Sequence, residues 1–179
     1  MRRALYFLCL LLAACNIPLS PTATTEPPSA NPTDTPSTGF QPCYYVWAYQ
    51  DLPEISARVD EAVKSVVSDA EAGARAFGED CVFEDGTRRF GAMETDFLIG
   101  VPVDDLADDE AIGQIIEKIL PVFAEFPPGV VPGPNVGRAE FSFTHGSEIR
   151  YVRFSIKDGL QALAEGLRGA ALLHKLEQK

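Results

Sequence analysis

A chain of 179 residues with 26 acidic against 15 basic side chains carries a formal charge of −11 at pH 7. Nucleic-acid binding needs a basic footprint to neutralise phosphates, and none is visible. The same balance argues against an electrostatic grip on anionic lipid, so a membrane attachment is expected to come from elsewhere.

The first fifteen residues, MRRALYFLCLLLAAC, combine a positive start (Arg2, Arg3), a short apolar run and small residues. Ala4 to Leu12 falls well short of the ~20 residues that span a bilayer as a helix. The pattern is that of a secretory signal peptide, with Arg2-Arg3 as a plain positive n-region. Leu12-Ala13-Ala14-Cys15 resembles the lipobox of bacterial lipoproteins: an aliphatic residue, two small ones and the cysteine. The resemblance covers residues 1–15 only. It implies that residues 1–14 are removed, that Cys15 becomes an acylated N-terminus, and that the lipid holds the chain at a membrane outside the cytoplasm. Each acyl CH₂ buried there contributes about 0.8 kcal/mol of anchoring.

Residues 16–42, NIPLSPTATTEPPSANPTDTPSTGFQP, hold seven of the fourteen prolines and almost no large apolar side chain. Such a stretch cannot bury enough surface to offset the entropy of ordering. With Cys15 it is expected to form a disordered, polyproline-biased tether over 15–42, reaching roughly 80 Å at about 3.1 Å per residue. From Cys43 the composition becomes globular, and 43–179 has the size of one domain.

CYYVWAYQ (43–50) is aromatic-rich and reads as a strand. Asp51 and Glu54 have capping-box spacing, with Pro53 in the first turn. Ile55, Val59, Ala62, Val63, Val66 and Ala70 recur at helical spacing. Residues 70–78 are open between helix and strand: alanine favours helix, whereas Gly73 and the loss of large apolar residues favour a strand. Asp85-Gly86 signals a turn. Phe97, Ile99, Val101 and Val103 alternate as a strand. Asp104 to Glu110 open a helix with the stripe Ile112, Ile115, Ile116, Ile119, Phe123 and Phe126, which Pro121 should kink or break. FPPGVVPGPNVG is an irregular connector. Ala139, Phe141 and Phe143 alternate in one strand and Val152, Phe154 and Ile156 in another, joined at His145-Gly146-Ser147. One or two helices carrying Leu160, Leu163, Leu167, Leu172, Leu173 and Leu176 close the chain. Mixed helices and hairpins predict an α+β fold. The expected form is a two-layer sandwich, with helices on one face of a mostly antiparallel or mixed sheet. A ferredoxin-like split βαβ core is one way to build it.

Four cysteines are present. Cys9 leaves with the signal peptide and Cys15 is committed to lipid, so Cys43 and Cys81 remain and are expected to pair, as exported cysteines do. A first helix running through to Gly78 would return Cys81 close to Cys43. A strand over 71–77 parallel to the first would leave the two cysteines at opposite ends.

Chemistry-bearing motifs are sparse. DDLADDE (104–110) lacks the ligand spacing of a calcium loop and suits a helix N-terminus. His145 and His174 have no metal-ligand spacing around them and are read as surface residues. Nucleophile elbows and phosphate-binding glycine loops are absent. No catalytic residue, metal or other cofactor is assigned. The remaining candidate is a ligand-binding row, Tyr45, Trp47 and Tyr49, which share one face of the first strand. A central strand would bury both of its faces, and Trp47 is expected in the core on that ground. An exposed row would instead form a platform for an envelope protein or a glycan. The leading functional reading is a non-catalytic binding module of the cell envelope, held to the membrane through Cys15. The alternatives are an envelope hydrolase using scattered carboxylates such as Glu94 and Asp96, and a structural envelope component.

Overall fold

The structure, a computed structural model, describes residues 42–178. The signal peptide, Cys15 and all but the last residue of the tether lie outside the described residues. The elements run β1 Cys43–Asp51, α1 Pro53–Val66, β2 Glu71–Phe83, β3 Arg88–Pro102, α2 Asp109–Phe123, β4 Asn135–His145, β5 Glu148–Ser155, α3 Ile156–Ala164 and α4 Gly169–Glu177. The five strands form one mixed sheet in chain order. β1/β2, β2/β3 and β4/β5 are antiparallel, and β3/β4 is parallel. This is an α+β fold with helices on one face of the sheet. The split βαβ core is not formed: β3 and β4 flank α2 in sequence and lie directly side by side, with no strand inserted between them.

Alternation sorts the two faces. Ala74, Phe97, Ile99, Val101, Ala139, Phe141, Phe143, Val152 and Phe154 point to the helices. There they pack with Val59 and Val63 of α1, Ile112, Ile116 and Ile119 of α2, and Leu172 and Leu173 of α4. Phe97 stacks on Phe123 at 4.9 Å, and Phe141 on Phe143 and Phe154 at 5.6 and 5.8 Å. Pro121 sits in the last turn of α2, where it removes one N–H from the helix ladder, and the helix ends two residues later.

The undecided segment is a strand, and it is antiparallel to β1. Neither a continued helix nor a parallel strand brings the cysteines together; the antiparallel register does. Cys43 lies opposite Phe83 and Tyr45 opposite Cys81, so the two cysteines are diagonal neighbours. They form a disulfide with Cα atoms 5.4 Å apart. β1 covers β2 only from Arg75 to Phe83. Beyond its reach, α1 takes over the exposed backbone. The Ser56 hydroxyl donates to Ala74 O at 3.2 Å and accepts from Ala74 N at 2.9 Å, and Asp60 accepts from Ala72 N at 2.9 Å. Alanines suit β2 because a helix lies this close. The expected capping box is not made: Asp51 ends β1, Leu52 takes the N-cap position, and Pro53 starts α1.

Gly86, with φ of 81°, supplies the left-handed residue of the β2–β3 turn, and Asp85 accepts from Thr87 N at 2.9 Å. At α4, acids of α2 serve as caps. Glu110 accepts from Ala170 N at 2.9 Å and Glu117 from Gly169 N at 3.4 Å. Gly113 faces the backbone of Gly169, which a Cβ would meet.

Candidate functional site: the open face of the sheet

The face of the sheet away from the helices carries two connected features. The first is aromatic. Trp47 and Tyr49 of β1 point to this face beside Phe77 of β2, which lies opposite Tyr49. Trp47 stacks on Phe77 at 5.3 Å with planes 19° apart, and Tyr49 meets the same ring at 5.2 Å. Trp47 is 64% exposed, Tyr45 66% and Tyr49 50%. The core placement expected for Trp47 is therefore wrong. β1 is an edge strand, and the helical layer lies on the opposite face of the sheet. The reverse side of β1 is open as well, with Tyr44 and Val46 exposed. An apolar strand on both sides here marks an uncovered edge, not a central strand.

The second feature is ionic and adjoins the first. The Arg75 guanidinium lies over the Tyr49 ring at 4.2 Å and donates to both carboxylate oxygens of Glu140 at 3.0 Å. Arg153 approaches the same carboxylate at 2.9 Å. Asp96 sits beneath this pair, fully buried. Its Oδ1 accepts from Arg138 N at 2.9 Å. Its Oδ2 has no hydrogen-bond partner, because Arg153 at 3.9 Å is too far to donate. Burial, helped by the nearby Glu140 charge, pushes the Asp96 carboxyl above the usual range. Burial also raises Glu94, with the Asp96 charge adding to it. The two acids named from sequence as an alternative site, Glu94 and Asp96, thus share one neighbourhood, but Asp96 is closed off from solvent.

Beside the network, Gly73, Gly100 and Ser142 form the floor of a shallow groove of about 340 Å³, with Glu71, Leu98, Glu140 and Tyr151 around it. Small floor residues on three adjacent strands keep the sheet surface low there, and Tyr151 stands 72% exposed.

Other sequence candidates have local structural duties. Asp108 caps α2 by accepting from Ala111 N at 2.9 Å. Asp109 binds Arg150 at 2.7 Å and His174 at 2.6 Å, which hold its carboxyl below the usual range, His174 first. His145 meets Val103 O at 3.0 Å. No group of three or more possible ligand side chains among the described residues could hold a metal. No described helix is long and apolar enough to cross a membrane. Arg75, Phe77, Glu140 and Arg153 were not singled out in the sequence. The alternation in RAEFSFTHG and EIRYVRFSI would have placed Glu140 and Arg153 opposite the core phenylalanines, hence on the open face. Compared with known proteins, the chain matches no family model, no curated protein and no solved structure.

Proposed function

We propose that this protein is a lipid-anchored, non-catalytic binding module of the cell envelope, and that its ligand lies on the aromatic open face around Trp47. The observation that carries the reading is the exposed stack of Trp47, Tyr49 and Phe77, continuous with the Arg75–Glu140–Arg153 network. Exposed contiguous apolar surface tends to mark interaction sites. Flat rings beside charged donors and acceptors suit a ligand with apolar faces and hydroxyl edges. That is the chemistry of a glycan, and an envelope protein is the second choice. The anchor rests on the lipobox resemblance at Cys15, and the Pro-rich stretch supplies reach.

Trp47 is the only tryptophan, so its emission reads the site directly. The free protein should emit at long wavelength and be readily quenched by acrylamide. Soluble oligosaccharides should shift that emission and protect it. Trp47→Ala should cost only about 0.5–1.5 kcal/mol, the scale of one aromatic pair, against the 3–5 kcal/mol of a core aromatic. A blue-shifted, unquenched native spectrum would remove the basis of the reading. For the anchor, Cys15→Ser should move the chain out of the membrane fraction or leave it unprocessed; a processed mutant still in membranes refutes acylation.

The hydrolase reading has one observation in its favour, the raised carboxyls of Glu94 and Asp96. It requires oligosaccharide cleavage that Glu94→Gln abolishes.

A further inference from the structure

We infer that β1 is an association edge, at which two copies of this chain pair strand to strand, antiparallel and about a two-fold axis at Trp47. The two edges of the sheet are treated differently. β5 carries Glu148, Arg150 and Arg153 along its eight residues, and Arg150 is tied to Asp109 and Glu177 at 2.7 and 2.8 Å. Charges of this kind on an edge deter strand addition. β1, CYYVWAYQD, has no charge before Asp51, no proline, and an unbroken register against β2 over all nine residues. None of the usual devices that guard an edge strand is present along it.

The order of residues on this edge points to a second copy as occupant. Tyr45, Trp47 and Tyr49 read the same in both directions about Trp47. Antiparallel pairing centred there sets Trp47 against its own counterpart and Tyr45 against Tyr49 of the other copy. Val46 meets Ala48, and Tyr44 meets Gln50. Every one of these opposed pairs is neutral, and the aromatic ones are favourable cross-strand neighbours. A two-fold interface must be self-complementary in this way. In the other directly opposed pair, Cys43 meets Asp51.

The area sets the strength. Tyr44, Tyr45 and Trp47 are about two-thirds exposed and Tyr49 half. At roughly 150–250 Å² per aromatic side chain, these rings expose on the order of 500 Å² per copy, and strand pairing covers only the part of it that is turned towards the other copy. A standard interface takes about 800 Å² per partner, and the backbone edge makes up only part of the difference. The pair is therefore weak and concentration-dependent. The net charge opposes it at long range, so added salt strengthens it. Strand addition uses the edge and leaves the sheet faces free. The two aromatic rows then lie side by side on one face. The inference does not depend on the glycan reading, which uses the faces.

The test is cysteine cross-linking of the full chain in its own membranes. Under mild oxidation, Trp47→Cys should give a band at twice the chain mass on a non-reducing gel. Tyr45→Cys and Tyr49→Cys copies expressed together should cross-link to each other more than either does to itself. Lys118→Cys, on the exposed side of α2, should give no such band. Val46→Lys added to Trp47→Cys puts a charge beside the axis. It should abolish the band while the Cys43–Cys81 bond still forms. A Trp47→Cys band no stronger than that of Lys118→Cys overturns the inference. So does a band at another protein's mass, or one that survives Val46→Lys. Retained oligosaccharide response with no cross-linking would defeat the dimer alone. Cross-linking with no such response would defeat the glycan reading alone.

Discussion

Replacing Gly113 by alanine sets two effects against each other, and the structure decides the sign. Alanine is the better helix former by about 0.8–1.0 kcal/mol in a helix interior, and Gly113 is interior, with four residues of α2 before it and ten after it within Asp109–Phe123. On propensity alone the variant gains stability. The added methyl would, however, meet the Cα, C and O atoms of Gly169 at the start of α4. These are backbone atoms, which cannot swing aside as a side chain would. α4 has to move, and two hydrogen bonds from its first turn to α2, Ala170 N to Glu110 and Gly169 N to Glu117, lengthen with it. Overpacking of this kind costs about 1–3 kcal/mol, and each weakened bond to a charged acceptor adds a further loss of about 1 kcal/mol. The net expectation is destabilisation of about 2–4 kcal/mol once the propensity gain is subtracted. Urea denaturation followed by far-ultraviolet circular dichroism measures it, with the disulfide kept intact in both proteins. A Gly113→Ala variant as stable as the parent, or more so, would refute the close crossing of α2 and α4.

Removing the disulfide through Cys43→Ala with Cys81→Ala should cost about 4 kcal/mol, the loop-closure value for a separation of 38 residues; free thiols detected by mass spectrometry in the oxidised parent would contradict the pairing itself. Asp96→Asn tests the buried carboxyl through pH. Its folded pKa is raised, so its favourable share is whole below the ordinary value of 3.8 and is lost as pH rises through the folded value. The asparagine variant should therefore be more stable than the parent at neutral pH, with the gap closing as pH falls towards 4; a gap that is constant or widens on acidification rules this out.

Strands and helices with one clear period were legible in the sequence. Phe97, Ile99 and Val101 alternate because one side of β3 meets the helices, and Ile112, Ile116 and Ile119 recur because α2 lies against that side. β2 was not legible. Ala74 and Ala76 are buried on one side of it, but alanine at every second position carries no strong hydrophobic period and favours helix as readily as strand. Trp47 was misplaced for a different reason. Apolar residues on both sides of a strand describe a covered centre and a bare edge equally well, and only the strand order distinguishes them. The ionic half of the site has the same origin. Arg75 and Glu140 are 65 residues apart and meet only because β2, β3 and β4 are consecutive neighbours in the sheet.

The disulfide also decides how the domain bears force. Cys43 is the first residue of β1, so a pull on the chain ahead of it arrives at the end of an edge strand. An edge strand loaded at its end ordinarily peels away one hydrogen bond at a time. Here the load crosses the Cys43–Cys81 bond into β2, which is paired on both sides, to β1 and to β3. β1 is relieved of the tension, and its aromatic row keeps its geometry while the chain ahead of it is stretched. Reduction of that one bond would turn a clamp into a zipper.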